Sequence, residues 1–500
     1  MCVAAVLTSA GCATHAAPVT SPSTSHNRAA VRQLQADLSS VFDAPIMTRG
    51  VWGVDIRSAE TGAVVFQHNA DRLMMPASNM KILTLAAAAQ VLGWDHRFAT
   101  TLETSAPIEN GVLRGDLVIR GSGDPTISTR GDRAKLVFDE WANALRAAGI
   151  SSIQGRIVGD DQAFDDEGLG PGWAWDYLEA GYASPIGALQ YNENVAELTV
   201  TPGGASGDPA SVRLEAGSGL TVMNRVRTEP AAGDPGQRGS INVHRRVDRP
   251  ELEVSGTIPL GSPAVTRVVA VVNPTVFFSQ GLKDALVSRG ITVTGEAADG
   301  DDVAAELVRN GAPSFRVLHT TLSPTLLEIG TVLMKVSQNQ YGETLLKAIG
   351  AKQGGLGSTL AGKTAAAQAF AAWNVPEDAY VMSDGSGLSR YNYVAATAVT
   401  SVLRRMYSDP RHRESFLATL PIAAKDGTIS TRMLHTRAAE NARAKTGSIA
   451  NVRSLSGFVR TRDGEMLVFS IIANDFVIPA ATITWAADLA VEILANYTDH

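Results

Sequence analysis

Pro76-Ala77-Ser78-Asn79-Met80-Lys81-Ile82-Leu83-Thr84 decides how this chain is read, because it holds the only Ser-x-x-Lys in the sequence. Positions i and i+3 share a helix face, roughly 5–6 Å apart at Cβ, so the Lys81 amine reaches the Ser78 hydroxyl. A free hydroxyl is a weak nucleophile and needs an adjacent base. A lysine near its reference pKa of about 10.4 is a weak base unless burial or nearby cations disfavour its charge. The pair therefore means chemistry only inside a fold that desolvates it. Alone, it is equally an exposed serine and lysine on a helix.

Two later segments supply further parts. Ser337-Gln338-Asn339 lies in a polar break between Val332-Leu333-Met334 and Leu345-Leu346, and Lys445-Thr446-Gly447 is the chain's only Lys-Thr-Gly. Taken singly, Ser337 and Asn339 suit a turn, and Lys445-Thr446-Gly447 suits a strand entry. The order Ser-x-x-Lys, Ser-x-Asn, Lys-Thr-Gly resembles the three-part signature of penicillin-binding proteins and serine β-lactamases. Three short motifs in that order arise by chance far less readily than one.

Composition narrows the partners. At about 150 residues per domain, a chain of 500 suggests roughly three domains. An apolar share of 45% fits a globular protein with ample core. A net charge of −7, without a basic run, argues against nucleic acid. The two cysteines, Cys2 and Cys12, leave the body without a disulfide framework or a thiolate zinc site. His-Glu-x-x-His is absent, so neither a metal nor another cofactor is expected. The first dozen residues read as a clipped secretion signal with a lipoprotein-type Cys12, or as a plain apolar tail; the basic region a signal needs is missing. Ala13 to Asn27 is an Ala/Pro/Ser/Thr-rich spacer. Export to the periplasm or cell-wall space is expected, with peripheral or lipid attachment to the membrane left open.

Hydrophobic patterning places the motifs. Val51–Ile56 and Ala63–Gln67 flank Glu60-Thr61-Gly62 as a hairpin, and Ser454–Arg460 and Met466–Ile472 flank Arg462-Asp463-Gly464-Glu465 as another. Leu83–Leu92 and Ile483–Tyr497 read as helices. First and last strands sharing one antiparallel sheet under helices give an α/β (α+β) sandwich. Between them, about Thr101 to Pro313 is Gly-, Asp- and Pro-rich, with short strands such as Leu117–Arg120, Ser211–Glu215 and Ile241–Val247. An internal echo runs through it: Leu145 to Ile150 then Gly155, and Leu286 to Ile291 then Gly295, each a Gly-capped helix end leading into a strand. The expected division is a leader and linker at 1–34, a discontinuous catalytic domain at 35–100 and 314–500, and one or two β-rich inserted domains at 101–313.

Ser78 and Ser337 stand 259 positions apart, whereas Ser337 and Lys445 stand 108 apart. A long first interval resembles the class C low-molecular-mass penicillin-binding proteins, the D-alanyl-D-alanine carboxypeptidase/endopeptidase family. Gly121 to Pro125, Pro171 to Trp175, Asp384 to Asn392, and Leu420-Pro421-Ile422 with Asp426-Gly427-Thr428 look like that family too. The resemblance implies a penicillin-binding/β-lactamase-like transpeptidase fold and a peptidase of peptidoglycan stem peptides ending in D-Ala-D-Ala, inhibited by β-lactam antibiotics. It implies Ser78 as nucleophile, Lys81 as base, Ser337 as proton relay and Asn339 as orienting amide. Lys445 and Thr446 would take the terminal carboxylate, Gly447 would let substrate lie against its strand, and the N–H groups of Ser78 and Ser448 would form an oxyanion hole.

Arg390 is either a contact to the stem peptide or one more polar loop residue. Asp160 and Phe164 fall where the family's inserted domain faces the stem's diamino acid, and a surface acid and a core aromatic account for them equally well. Trp173 and Trp175 are expected as core or domain-interface anchors. Two other functions are to be separated from the peptidase. A serine β-lactamase of class A would carry a Glu-x-x-Leu-Asn loop, and none occurs between Asn339 and Lys445. A non-catalytic penicillin-binding sensor or scaffold would have no need of Lys81 or Lys445.

Overall fold

The two hairpins expected from opposite ends of the chain meet. In a computed structural model that describes residues 28–233, 239–303 and 314–499, Val51–Ser58 pairs antiparallel with Met466–Asn474 along its whole length. Cys2, Cys12 and the spacer lie outside the described residues. The sheet has five antiparallel strands in the order Val64–His68, Val51–Ser58, Met466–Asn474, Val452–Arg460, Arg443–Ile449.

Strand alternation gives this sheet two apolar faces. Trp52, Val54, Ile56, Phe469 and Ile471 pack under the helices Arg28–Phe42 and Ala480–Asn496. Phe458, Val468 and Ile472 face the other way, into a layer of helices that includes Met80–Leu92, Asn339–Ala351 and Ala396–Ser408. Met80–Leu92 is buried from Met80 to Ala89, and Lys81 is its one charged residue. A helix that is apolar all round belongs in a core. That alone desolvates the lysine.

The inserted span folds as two modules. In the first, the helices Arg133–Ala147 and Pro274–Ser288 end at left-handed Gly149 (φ 79°) and Gly290 (φ 80°). They lead into Ser152–Ile153 with Ile157–Asp160, and into Thr292–Val293 with Ala297–Asp299, paired in parallel. The echo in the sequence is thus two helix–strand units side by side. They touch backbone to backbone where a Cβ on Gly295 would come within 2.2 Å of the Gly155 carbonyl oxygen, so glycine is required. The second module, nested between them, packs two three-stranded sheets around Leu198, Val200, Val226, Leu252, Val254 and Ile258. Ala99–Thr104 pairs antiparallel with Arg316–Leu322, so the chain enters and leaves the inserted span through adjacent strands.

Candidate active site

Ser78 sits in the single turn Ala77–Asn79 that opens into the helix Met80–Leu92. Ala77 has φ +47°, a left-handed conformation costing an L-residue about 1–2 kcal/mol. Such strain persists only where surrounding structure over-determines it, and here it does. Asn79 Nδ2 donates to the Lys445 carbonyl at 2.9 Å, Ser456 Oγ donates to Asn79 Oδ1 at 2.5 Å, and Ser454 Oγ donates to the Pro76 carbonyl at 2.7 Å. The turn is stapled to the strands carrying Lys445 and Ser454. At Gly447 a Cβ would stand 2.2 Å from Ser454 Oγ and 3.0 Å from the Ser78 nitrogen. Only glycine lets that strand approach Ser78 so closely.

Lys81 is fully buried, and its Nζ lies 2.9 Å from Ser78 Oγ, 2.6 Å from Asn339 Oδ1 and 2.7 Å from the Ser386 carbonyl. The last two oxygens can only accept. A neutral amine has two N–H bonds and one lone pair; if Asn339 and Ser386 take the N–H bonds, the lone pair is left for the Ser78 hydroxyl proton. Burial lowers the Lys81 pKa to about 7, against the opposing pull of Asp384 and Glu343. Neutral amine is therefore abundant near neutrality.

The orientation of Asn339 is fixed from outside the motif. Its Nδ2 donates to the Tyr182 carbonyl at 2.7 Å. A carbonyl cannot donate, so the amide must turn its oxygen to Lys81. Behind the lysine lie two buried carboxyls. Asp384 accepts from the Gly387 and Ser389 N–H groups at 2.7 and 2.6 Å, from Asn392 Nδ2 at 2.7 Å and from Trp173 Nε1 at 2.9 Å. Glu343 accepts from the Gly385 and Ser386 N–H groups at 2.9 and 2.7 Å. Burial, then repulsion from Asp384, raises the Glu343 pKa to about 8. Together they hold the loop whose Ser386 carbonyl meets Lys81.

Lys445 is also fully buried, donating to Ser337 Oγ and to the Thr446 carbonyl, each at 2.8 Å. Burial, then repulsion from Lys81, holds its pKa well below the ordinary lysine value. Ser337 is left-handed at φ +64°. Thr446 Oγ1 meets Thr428 Oγ1 at 2.8 Å. Of the residues singled out from the sequence, Ser78, Lys81, Ser337, Asn339 and Lys445 thus join in two hydrogen-bonded groups, with Thr446 and Gly447 beside them.

The rest lie further out. Ser448 is exposed on the same strand as Lys445, and half-buried Arg390 donates from Nη2 to the Ala450 carbonyl at 3.0 Å, just past that strand's end. Asp160 is ion-paired to Arg120 Nε at 3.0 Å, in a cleft of about 420 Å³ that Glu103, Ser122 and Gln162 also line. Phe164 is buried against Gly123 and Gly357. Trp173 anchors the inserted span to Asp384, whereas Trp175 is 61% exposed and meets His244 edge-on. Reading the sequence missed Glu343 and the Tyr182 and Ser386 carbonyls. Glu343 had a signal: it stands four residues after Asn339, on the same helical face.

Among the described residues, the carboxylates spaced for a metal are Asp161, Asp299 and Asp301, on the inserted module. Asp161 already accepts from Thr275 Oγ1 at 2.5 Å and Asp299 from Asn273 Nδ2 at 2.7 Å. No helix among the described residues is long and apolar enough to cross a membrane.

Comparison with known proteins places this geometry. Residues 34–496 match the model of the D-Ala-D-Ala carboxypeptidase 3 (S13) family. The chain is 33% identical over 488 residues to a D-alanyl-D-alanine carboxypeptidase of Actinomadura sp. (strain R39), covering 94% of this chain and 86% of that protein. It is 26% identical over 427 residues to the D-alanyl-D-alanine carboxypeptidase DacB of Haemophilus influenzae, 85% of each. The crystal structure of penicillin binding protein 4 (dacB) from Haemophilus influenzae superposes with a TM-score of 0.78 at 25% identity, over 92% of this chain and 99% of that one.

Proposed function

The chain belongs to the D-Ala-D-Ala carboxypeptidase 3 (S13) family and is a serine-type D-alanyl-D-alanine carboxypeptidase, and from that premise we propose that Ser78 is its nucleophile and neutral Lys81 its base. Ser78 Oγ attacks the carbonyl carbon of the terminal D-Ala-D-Ala bond as its proton passes to the Lys81 amine. The N–H groups of Ser78 and Ser448 take the developing oxyanion. Collapse breaks the C–N bond, and the proton reaches the departing D-Ala nitrogen by way of Ser337. Water then attacks the acyl-enzyme, giving its proton to Lys81 and restoring the Ser78 hydroxyl. Lys445 and Thr446 bind the terminal carboxylate, whose arrival favours the charged form of Lys445.

The observation that carries this reading is the pair of acceptors, Asn339 Oδ1 and the Ser386 carbonyl, which together leave the Lys81 lone pair for Ser78. Penicillins should acylate Ser78 and leave slowly, because the sequence offers no Glu-x-x-Leu-Asn loop to activate water. The superposed Haemophilus fold has also been crystallised complexed with a β-lactam. Arg390, near the end of the Lys445 strand, is suited to the stem peptide, and Asp160 to its diamino acid. Cleavage of cross-links as well as stem ends, export through the N-terminal segment, and the division into 1–34, a discontinuous domain at 35–100 and 314–500, and inserted domains at 101–313 belong to the same proposal.

The test is incubation of purified protein with a fluorescent penicillin and with a pentapeptide ending in D-Ala-D-Ala, beside Ser78→Ala. Stable labelling with D-Ala release, both lost in the variant, is the expected result. Rapid turnover of the penicillin would instead make the protein a β-lactamase, and labelling without D-Ala release a sensor.

A further inference from the structure

The inserted span meets the catalytic helix along one line. Gln338 Nε2 donates to Glu193 Oε2 at 2.5 Å, Asn339 Nδ2 to the Tyr182 carbonyl at 2.7 Å, and Gln190 Nε2 to Thr344 Oγ1 at 2.9 Å. Lys347 Nζ donates to Asp165 Oδ1 at 2.5 Å. Among these contacts, the one from Glu193 rests on strained backbone. Asn192, Glu193 and Asn194 are consecutive left-handed residues, with φ of 50°, 56° and 55°. Asparagine adopts that region several-fold more readily than glutamate. Both asparagines close the turn: Asn194 Nδ2 donates to the Pro185 carbonyl at 2.8 Å and Asn192 Nδ2 to the Val195 carbonyl at 3.2 Å.

Asparagine at 193 would suit this backbone better than glutamate, but it is one methylene shorter. What the glutamate adds is reach. Its Oε1 takes Arg130 Nε at 2.9 Å and Nη2 at 2.7 Å, while Oε2 takes Gln338. Gln338 separates the two polar side chains of the Ser-x-Asn motif: Ser337 Oγ faces Lys445, and Asn339 Oδ1 faces Lys81. A shift of the backbone at 338 displaces both at once. Strain held at a functional site in this way points to a role for the strained residue.

We propose that Glu193, braced by Arg130, is a positioning residue that holds Gln338 and thereby sets Ser337 and Asn339 for acylation of Ser78. The inference rests on the mechanism proposed above. A displacement of about 1 Å at reacting groups can lower a rate by up to about 100-fold.

The experiment compares Glu193→Asn, Glu193→Gln and Gln338→Ala, with Ser78→Ala as control. It reads kcat and KM for D-Ala release, the rate of acylation by a fluorescent penicillin, and Tm. Glu193→Asn should keep or raise Tm, since it relieves the backbone, yet lower kcat and acylation about 10-fold with KM little changed. A purely structural contact would not separate activity from stability in this direction. Glu193→Gln keeps an acceptor for Gln338 and should recover most of the rate. In the Gln338→Ala background, Glu193→Asn should add no further loss. Activity of Glu193→Asn at the wild-type level, or losses that simply multiply in the double variant, would overturn the proposal. Should Glu193→Asn not fold, the same cycle with Glu193→Ala decides it by the same criteria. Residual D-Ala release in Ser78→Ala would instead overturn the underlying mechanism.

Discussion

The nucleophile segment Pro76–Thr84 and the inserted stretch from Gly181 to Asn194 meet at the same site, yet they contribute different things. The first brings Ser78 and Lys81, a hydroxyl in the turn Ala77–Asn79 and an amine on the buried helix that follows, 2.9 Å apart. The second contributes the Tyr182 carbonyl and the Glu193 carboxylate, which turn and hold the Ser-x-Asn motif. Reactivity thus comes from one part of the chain and orientation from another. The difference teaches that a three-motif signature is an incomplete site until something outside it decides which way an amide points.

The largest effect should come from the reactive side. Lys81→Arg retains a cation but cannot give up its proton in a protein. It should cost about 1,000-fold or more in both D-Ala release and penicillin acylation, since a nucleophile without its base is left at its intrinsic reactivity. If Lys81→Arg kept a substantial rate, the division between reactive and orienting regions would break. Asn339→Asp tests the point where the regions meet. It sets a carboxylate against the Tyr182 carbonyl and adds a negative charge beside Lys81, which favours the charged amine and raises its pKa above about 7. Acylation at neutral pH should fall about 100-fold, and the acid limb of the pH profile should move to higher pH, by analogy with the loss of one preorganised polar group.

Smaller changes sharpen the orienting side. Trp173→Phe removes the indole N–H that reaches Asp384 at 2.9 Å but leaves that carboxyl its other donors. Stability should drop by about 1–2 kcal/mol in denaturant unfolding, with kcat reduced only a few-fold. Arg390→Ala should do least: its side chain is half-buried and tied to one carbonyl. A rise in KM of a few-fold with unchanged kcat is expected, as for a group that contributes uniform binding.

These contrasts also explain what could be read in the sequence. The meeting of Ser78, Lys81, Ser337, Asn339 and Lys445 was legible because the proposed chemistry requires those residue types in that order. The two hairpins were legible because strands alternate and turns carry Gly and Asp. Tyr182 was not, because it acts through a backbone carbonyl that any residue would supply; the same holds for Ser386. Glu193 was hidden because its meaning lies in a left-handed turn and in an Arg130–Gln338 pairing that no spacing predicts. Trp173 and Trp175 look alike in sequence, two positions apart, and only the fold tells the anchored indole from the exposed one.

The central claim is that Ser78 is activated by an unprotonated Lys81. The most direct measurement is the second-order rate constant for acylation of the free enzyme by a penicillin, followed from about pH 5.5 to about pH 8.5, because this constant reports ionisations of the free enzyme. The account predicts a rise of about ten-fold per pH unit on the acid side, bending to a plateau near pH 7, where burial places the Lys81 pKa. A profile flat across that range, or one still climbing toward the ordinary lysine value of about 10.4, would contradict it.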